Sequence, residues 1–173
     1  APQEALGLAI GAFEVNNGLV NKVSYFDGVT ALNTTELKNG HAFTLGNFTS
    51  GPSNMRISPS DPTFQHEYGR YLQSKADGLS YLTFTALPNL FGNIFGNADN
   101  SPTSWDGNAR ALKYFNKYEG GLNTSFIWDF DSNPIPGFNN TIPNSMSDPG
   151  NQEALRRSIR KPGLIDYAVA AAS

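Results

Sequence analysis

Two neighbouring residues, His66 and Glu67, are the part of this sequence best suited to chemistry. They open the run H-E-Y-G-R at residues 66–70, which differs in its last position from the helical pattern H-E-x-x-H. In that pattern two histidines one turn apart hold a zinc ion, and the glutamate takes a proton from the metal-bound water. Here the second ligand position is Arg70, whose guanidinium stays protonated and offers no lone pair to a metal.

The element that must position these residues is a predicted helix. Ser60, Asp61 and Pro62 form a helix start signal, and the helix should run to about Lys75, ahead of Gly78. Its large apolar residues recur on one face, which predicts a stripe against the core: Phe64, Tyr68, Tyr71 and Leu72. Because Gly69 has no side chain, we also expect another backbone to pass close to the helix there.

We predict a single domain over residues 1–173, in three parts. Residues 1–58 are rich in Gly, Asn and Thr and are predicted to be β-rich, with short strands between turns such as Asp27-Gly28. Residues 59–117 form a predicted helical centre, and residues 118–173 a loop-rich tail with a C-terminal helix. The predicted elements within the last two parts are a buried apolar stretch at 79–91, a helix at about 103–117, a helix at about 152–159 and an apolar stretch at 164–169.

Composition narrows the range of partners. A net charge of −3 gives no basic face for nucleic acid, and no apolar run approaches the roughly 18 residues of a membrane span. The absence of cysteine excludes disulfides, thiolate metal sites and a cysteine nucleophile. The chain begins at Ala1 rather than at methionine, and we therefore expect a processed or excised piece.

Further segments extend the likeness beyond the motif. They are G-H-A-F-T-L-G at 40–46, D-P at 61–62 leading into H-E-Y-G-R-Y-L-Q-S at 66–74, G-L-S-Y-L at 78–82, and T-S-W-D-G-N-A-R-A-L-K-Y-F at 103–115. With these segments, roughly residues 20–116 resemble zincin-like metallopeptidase domains of secreted bacterial proteins of the YD-repeat or Rhs-associated type. The run at 66–74 is the most specific part of the resemblance, which does not cover the tail.

The resemblance implies a degenerate zinc site. It makes His66 a vestigial metal ligand and Glu67 a vestigial general base, and the family's second histidine and its glutamate fall on Arg70 and Ser104. Two of three expected ligands are thus replaced. Asp106 and His41 are the possible substitute ligands in this chain.

A rescued zinc site would have to tolerate the positive charge of Arg70. At about 4 Å, two unit charges repel by roughly 4 kcal/mol at an effective dielectric constant near 20, and a divalent ion doubles that figure. We therefore expect no cofactor, with zinc as the alternative if other ligands restore the site. Arg70 should stand where the metal was and pair with Glu67 or Asp106. Arg70, Tyr68 and Asp106 are the candidate binding residues, although Tyr68 also belongs to the apolar stripe.

These observations predict an α+β fold, with a short, mostly antiparallel N-terminal sheet packed on a helical, zincin-like centre. The expected function is that of a zincin-derived domain that does not hydrolyse peptides and serves a binding or structural role, with a peptide or protein as partner. Two alternatives stay open: an active metal-dependent peptidase or effector with an unusual ligand set, and a purely structural surface or adhesion domain. The resemblance also implies an extracytoplasmic or secreted location.

Overall fold

The computed structural model describes residues 2–38, 41–78, 81, 101–122 and 126–159. The helices of this part are α1 (Pro2–Asn16), α2 (Pro62–Asp77), α3 (Pro102–Tyr118) and α4 (Pro149–Ser158), with a short 3-10 helix at Ser145–Ser147. The strands are β1 (Val20–Phe26), β2 (Val29–Thr34), β3 (Phe43–Leu45) and β4 (Phe48–Pro52). The chain therefore has the α+β fold that its sequence predicts.

The four strands form one sheet in the order β1-β2-β4-β3. β1 pairs antiparallel with β2, and β3 antiparallel with β4, whereas β2 and β4 run parallel. The predicted turn at Asp27-Gly28 closes the first hairpin, with positive φ angles of 35° and 88°. Two of the three pairings are antiparallel, which confirms the prediction of a mostly antiparallel sheet.

The first element, α1, was not predicted. Residues 1–58 were expected to contain strands, and this was wrong for Pro2–Asn16, which is helical. The helix buries an unusual face made of Gln3, Gly7, Gly11 and Glu14, while Leu8 and Phe13 are exposed. Because the apolar residues do not follow the buried face, the usual helical period of hydrophobic residues is missing.

The helix that carries the motif begins and ends close to where the sequence predicts. Asp61 caps its N-terminus by accepting a hydrogen bond from the Phe64 N–H at 3.0 Å, and Pro62 occupies the first turn. The helix ends at Asp77, and Gly78 follows with a φ of 57°. The predicted helices at about 103–117 and 152–159 are confirmed as α3 and α4.

The main core lies between one face of the sheet and the pair α2 and α3. Tyr68 of α2 stacks on Phe115 of α3 with ring centroids 4.9 Å apart, and both pack edge-on against Phe26 at the end of β1. α1 covers the opposite face of the sheet. The predicted stretches at 79–91, apart from Tyr81, and at 164–169 lie outside the described residues.

Candidate functional site

The candidate site lies where α2 crosses α3, and two glycines set how closely the helices approach. A Cβ atom on Gly69 would stand 2.4 Å from the carbonyl oxygen of Gly107, far inside van der Waals contact. The expectation that another backbone passes close to Gly69 is therefore confirmed. This close approach brings Arg70 of α2 within hydrogen-bonding distance of Ser104 in the first turn of α3.

Arg70 is the centre of the site. Its side chain donates three hydrogen bonds: from Nε to His66 Nε2 at 3.2 Å, from Nη2 to Ser104 Oγ at 3.0 Å, and from Nη1 to Gln73 Oε1 at 3.2 Å. The residue is 5 % exposed, so the guanidinium is almost fully removed from water. All three acceptors are uncharged at neutral pH.

The Arg70 side chain holds His66 from the Nε2 side of its ring. Nε2 accepts from Arg70, which requires the proton of the neutral ring to be on Nδ1. The pKa of His66 is lowered from 6.5 to about 3, first by burial and then by the positive charge of Arg70, while the nearby Asn108 side chain acts in the opposite direction. His66 is partly buried and is neutral under ordinary conditions.

Glu67 is directed to the sheet. Its Oε2 accepts a hydrogen bond from Thr44 Oγ1 of β3 at 2.6 Å, and Thr44 Oγ1 lies 2.8 Å from Thr49 Oγ1 of β4. With Thr44 as donor to the carboxylate, Thr49 donates to Thr44, and the two hydroxyls form a short chain. The Glu67 side chain thereby links α2 to strand β3 of the sheet.

Asp106 belongs to a second charged pair beside Arg70. Its carboxylate oxygens both lie 2.9 Å from Arg110 Nε, one turn further along α3. Gln73 joins the two groups, because its Nε2 donates to Asp106 Oδ2 at 2.7 Å while its Oε1 accepts from Arg70. The Gln73 amide therefore forms a hydrogen-bonded bridge between the carboxylate of Asp106 and the guanidinium of Arg70.

The structure separates some of the predicted site residues. Among the described residues Arg70 makes no direct ion pair with Glu67 or Asp106, so that predicted pairing was wrong. The reason is that Thr44 draws Glu67 to the sheet and Arg110 holds Asp106. Tyr68 is 1 % exposed and stacks in the core, which removes it from any surface for binding.

The residues present do not fit a zinc ion. A metal would need the lone pair on Nε2 of His66, but that lone pair accepts a hydrogen bond from Arg70. Ser104 offers only a neutral hydroxyl, which itself accepts a hydrogen bond from Arg70. His41 is exposed on the loop before β3. Within the described ranges no three His, Asp or Glu side chains are grouped closely enough to hold a metal ion.

Three contributors were not predicted as site residues: Gln73, Thr44 and Asn108. Signals for two of them exist in the sequence. Gln73 lies three residues after Arg70, and Asn108 four residues after Ser104, spacings that place each pair on one helix face. Thr44 carries no such signal, because its contact with Glu67 depends on how the sheet docks on the helix.

Comparisons with protein-family models, with curated proteins and with solved structures found no match to this chain. In the described part of the chain no helix combines the length and the apolar character needed to cross a membrane.

Proposed function

We propose that this chain is a zincin-derived domain in which the guanidinium of Arg70 takes the position of the metal, and that it serves a binding or structural role without hydrolysing peptides. One observation carries the proposal. The sequence resemblance assigns His66, Arg70 and Ser104 to the three ligand positions, and Arg70 donates a hydrogen bond to each of the other two. The side chain thus joins the groups that a zinc ion would join.

The charge of Arg70 supports the same conclusion. A guanidinium within hydrogen-bonding distance of His66 Nε2 occupies its lone pair and opposes a second cation. The repulsion from a divalent ion at about 4 Å is roughly 8 kcal/mol at an effective dielectric constant near 20. Zinc binding would therefore require Arg70 to leave the site, exposing the other groups that it now satisfies.

The surroundings of His66 match those of a metal-ligating histidine on one side of the ring only. Metal-ligating histidines usually donate the second ring N–H to an oxygen acceptor, which fixes the tautomer. On the Nε2 side, the imidazole faces the Arg70 guanidinium, so a side-chain cation stands where the metal would be. On the other side, Asn108 lies close enough to act on the pKa of His66, but its Oδ1 accepts no hydrogen bond from the ring.

The edge of the sheet beside the site favours a role other than peptide cleavage. In the β3–β4 hairpin, Thr44 and Thr49 face each other between the outer pairs, which directs the Thr44 carbonyl away from β4. That carbonyl accepts a hydrogen bond from the Tyr81 hydroxyl at 3.3 Å. An extended peptide adding to β3 would have to displace Tyr81.

Total-metal analysis of the purified protein tests the proposal. We expect less than about 0.1 zinc per wild-type chain after dialysis against free zinc, and no peptidase activity on a mixed peptide library. The double variant Arg70→His with Ser104→Glu restores the two ligand types and should retain about one zinc per chain, as catalytic sites with three protein ligands do.

The matched controls are the single variants Arg70→His and Ser104→Glu, each of which restores only one of the two ligand types and should retain less zinc than the double variant. One tightly held zinc per wild-type chain would overturn the proposal in favour of an active metal-dependent enzyme. No zinc in the restored double variant would remove the argument for descent and favour a purely structural surface or adhesion domain.

A further inference from the structure

The outer edge of β1 presents backbone groups that nothing in the described residues pairs. β1 is the end strand of the sheet, and its tight turn makes Phe26 and Val29 a hydrogen-bonded pair. Along the two strands hydrogen-bonded and non-hydrogen-bonded residue pairs then alternate, so Tyr25 and Thr30 form a non-hydrogen-bonded pair. In agreement, the Thr30 N–H points away from β1 and donates to the Asn47 carbonyl at 2.8 Å. Tyr25, opposite Thr30, therefore directs its N–H and C=O away from β2, and so does Val23.

The same two residues expose apolar side chains. Val23 lies opposite Leu32, and Leu32 contacts α1 at Gly11, so Val23 and Tyr25 share the sheet face that α1 covers. α1 does not cover them, since Val23 is 45 % and Tyr25 is 80 % exposed. An end strand with open backbone groups and exposed apolar side chains is a ready template for another strand.

We propose that the partner is a second copy of this chain, joined by antiparallel pairing of the two β1 strands about a twofold axis at Ser24. In this register Val23 of each copy faces Tyr25 of the other, and the two pairs exchange four backbone hydrogen bonds. Aromatic and β-branched residues are favourable cross-strand neighbours. The contact uses the same patch on both copies, as an isologous dimer requires.

The charges on the strand favour this partner. Lys22 is the one charged residue of β1, and its two copies would lie four residues apart in register, or about 13 Å along the strand. Each Lys22 would lie beside Phe26 and Asp27 of the other copy, so opposite charges meet at both ends of the interface. Self-pairing thus brings no like charges together.

The expected dimer is weak. In this register residues 22–26 of the two strands overlap, and five residues from each copy form a contact at the lower end of interface sizes, where association is transient. Sedimentation should show a mass of 18.7 kDa at low micromolar concentration that rises towards twice this value at several hundred micromolar.

Cysteine cross-linking tests the register directly, because the chain contains no cysteine. Ser24 would face its own copy in a non-hydrogen-bonded pair, with Cα atoms about 4.5 Å apart, within the range of a disulfide. The variant Ser24→Cys should form an oxidised dimer at least tenfold faster than Lys22→Cys, whose thiols would be about 13 Å apart. Equal rates for the two variants, or no cross-link in either, would overturn the proposal.

A second variant tests the dimer without any oxidation step. Val23→Pro removes an N–H that points away from β2, so the hairpin should survive while one hydrogen bond of each pair is lost. We expect it to sediment as a monomer at every concentration with an unchanged circular dichroism spectrum. A wild-type monomer at all concentrations would overturn the proposal and leave the edge to a different partner. Neither result depends on Arg70, so metal binding is tested separately.

Discussion

A guanidinium that is 5 % exposed has lost most of its hydration and must recover it from protein acceptors. Arg70 does so through three neutral groups on two helices, and His66 is the one among them that could take up a proton. A protonated His66 would lose its acceptor lone pair and face a second cation. The two residues therefore depend on each other: Arg70 needs the neutral imidazole, and its charge keeps the imidazole neutral.

Replacing Arg70 by methionine should raise the pKa of His66 from about 3, by about 1 or more, because the neighbouring positive charge is gone. The pKa should stay below 6.5, since burial is the larger cause of the lowering and methionine keeps the space filled. Nitrogen-detected NMR of the imidazole measures both the titration and the tautomer. Signal assignment is simple, because the chain has two histidines and His41→Gln removes one of them.

The control for this titration is Arg56→Met, which removes an arginine whose side chain is 76 % exposed. It should leave the titration of His66 as it is in the wild type. If the wild-type ring already titrated near 6.5, or if Arg70→Met left its pKa unchanged, the hydrogen bond between the two side chains would not exist in solution.

At the scale of elements, the site depends on how closely α2 approaches α3. Gly69→Ala should lower the free energy of unfolding by about 3 kcal/mol, because the added Cβ meets the backbone carbonyl of Gly107 and the helices must separate. The gain in helix propensity, at most about 1 kcal/mol, cannot offset this. Urea denaturation followed by circular dichroism measures the difference.

Gly107→Ala is the matched comparison at the same crossing. Its Cβ would come 3.0 Å from Oε1 of Gln73, a side-chain atom that needs to shift by only a few tenths of an ångström, and 3.4 Å from the Gly69 carbonyl carbon, which is ordinary contact. The loss should therefore be smaller, about 1 kcal/mol. Equal losses in the two variants would mean that the helices adjust freely and that the crossing does not fix the site.

The helices α2 and α3 could be predicted because local signals and the core pattern agree. Asp61 caps α2, and its apolar stripe faces the sheet. α1 could not be predicted in the same way, since Gly7 and Gly11 have low helix propensity and lie on its buried face. Their value is in packing: a Cβ on Gly7 would stand 2.4 Å from the Leu45 carbonyl, a contact that only the tertiary structure reveals.

The sequence predicts which residues form the site better than it predicts the contacts between them. The spacing of the motif identified His66 and Arg70, and the family resemblance alone identified Ser104. The partner of Arg70 was predicted to be an acid, because charge alone favours Glu67 or Asp106. The structure assigns those acids to Thr44 and Arg110, and nothing local in the sequence specifies a contact between a helix and a distant strand.

At the scale of the whole molecule, the low pKa of His66 makes stability depend on pH. The unfolded chain binds a proton at His66 below about 6.5, whereas the folded chain does so only near 3. The contribution of His66 to the free energy of unfolding is therefore fully present above pH 6.5, and it is lost progressively as the pH falls from 6.5 towards 3. Between pH 7.5 and 5.5 it amounts to about 1.3 kcal/mol of unfolding free energy.

Glu14 acts in the opposite direction. Burial of Glu14 on the face of α1 that packs on the sheet raises its pKa, partly offset by a hydrogen bond from Ser50 at 2.7 Å, so the folded chain holds that proton more tightly than the unfolded chain. Stability from Glu14 therefore increases as the pH falls through its raised pKa. A wild-type pH profile alone mixes the two effects.

The difference between wild type and His66→Gln isolates the histidine, because Glu14 is common to both. We expect urea denaturation to show that the wild type loses about 1.3 kcal/mol more than His66→Gln between pH 7.5 and 5.5. His41→Gln, altered in an exposed loop, should keep the wild-type dependence. If the unfolding free energies of the wild type and His66→Gln changed in the same way with pH, His66 would have the same pKa in the folded and unfolded chain. Arg70 could then not hold the imidazole through Nε2, and the argument that a guanidinium stands in the metal position would fail with it.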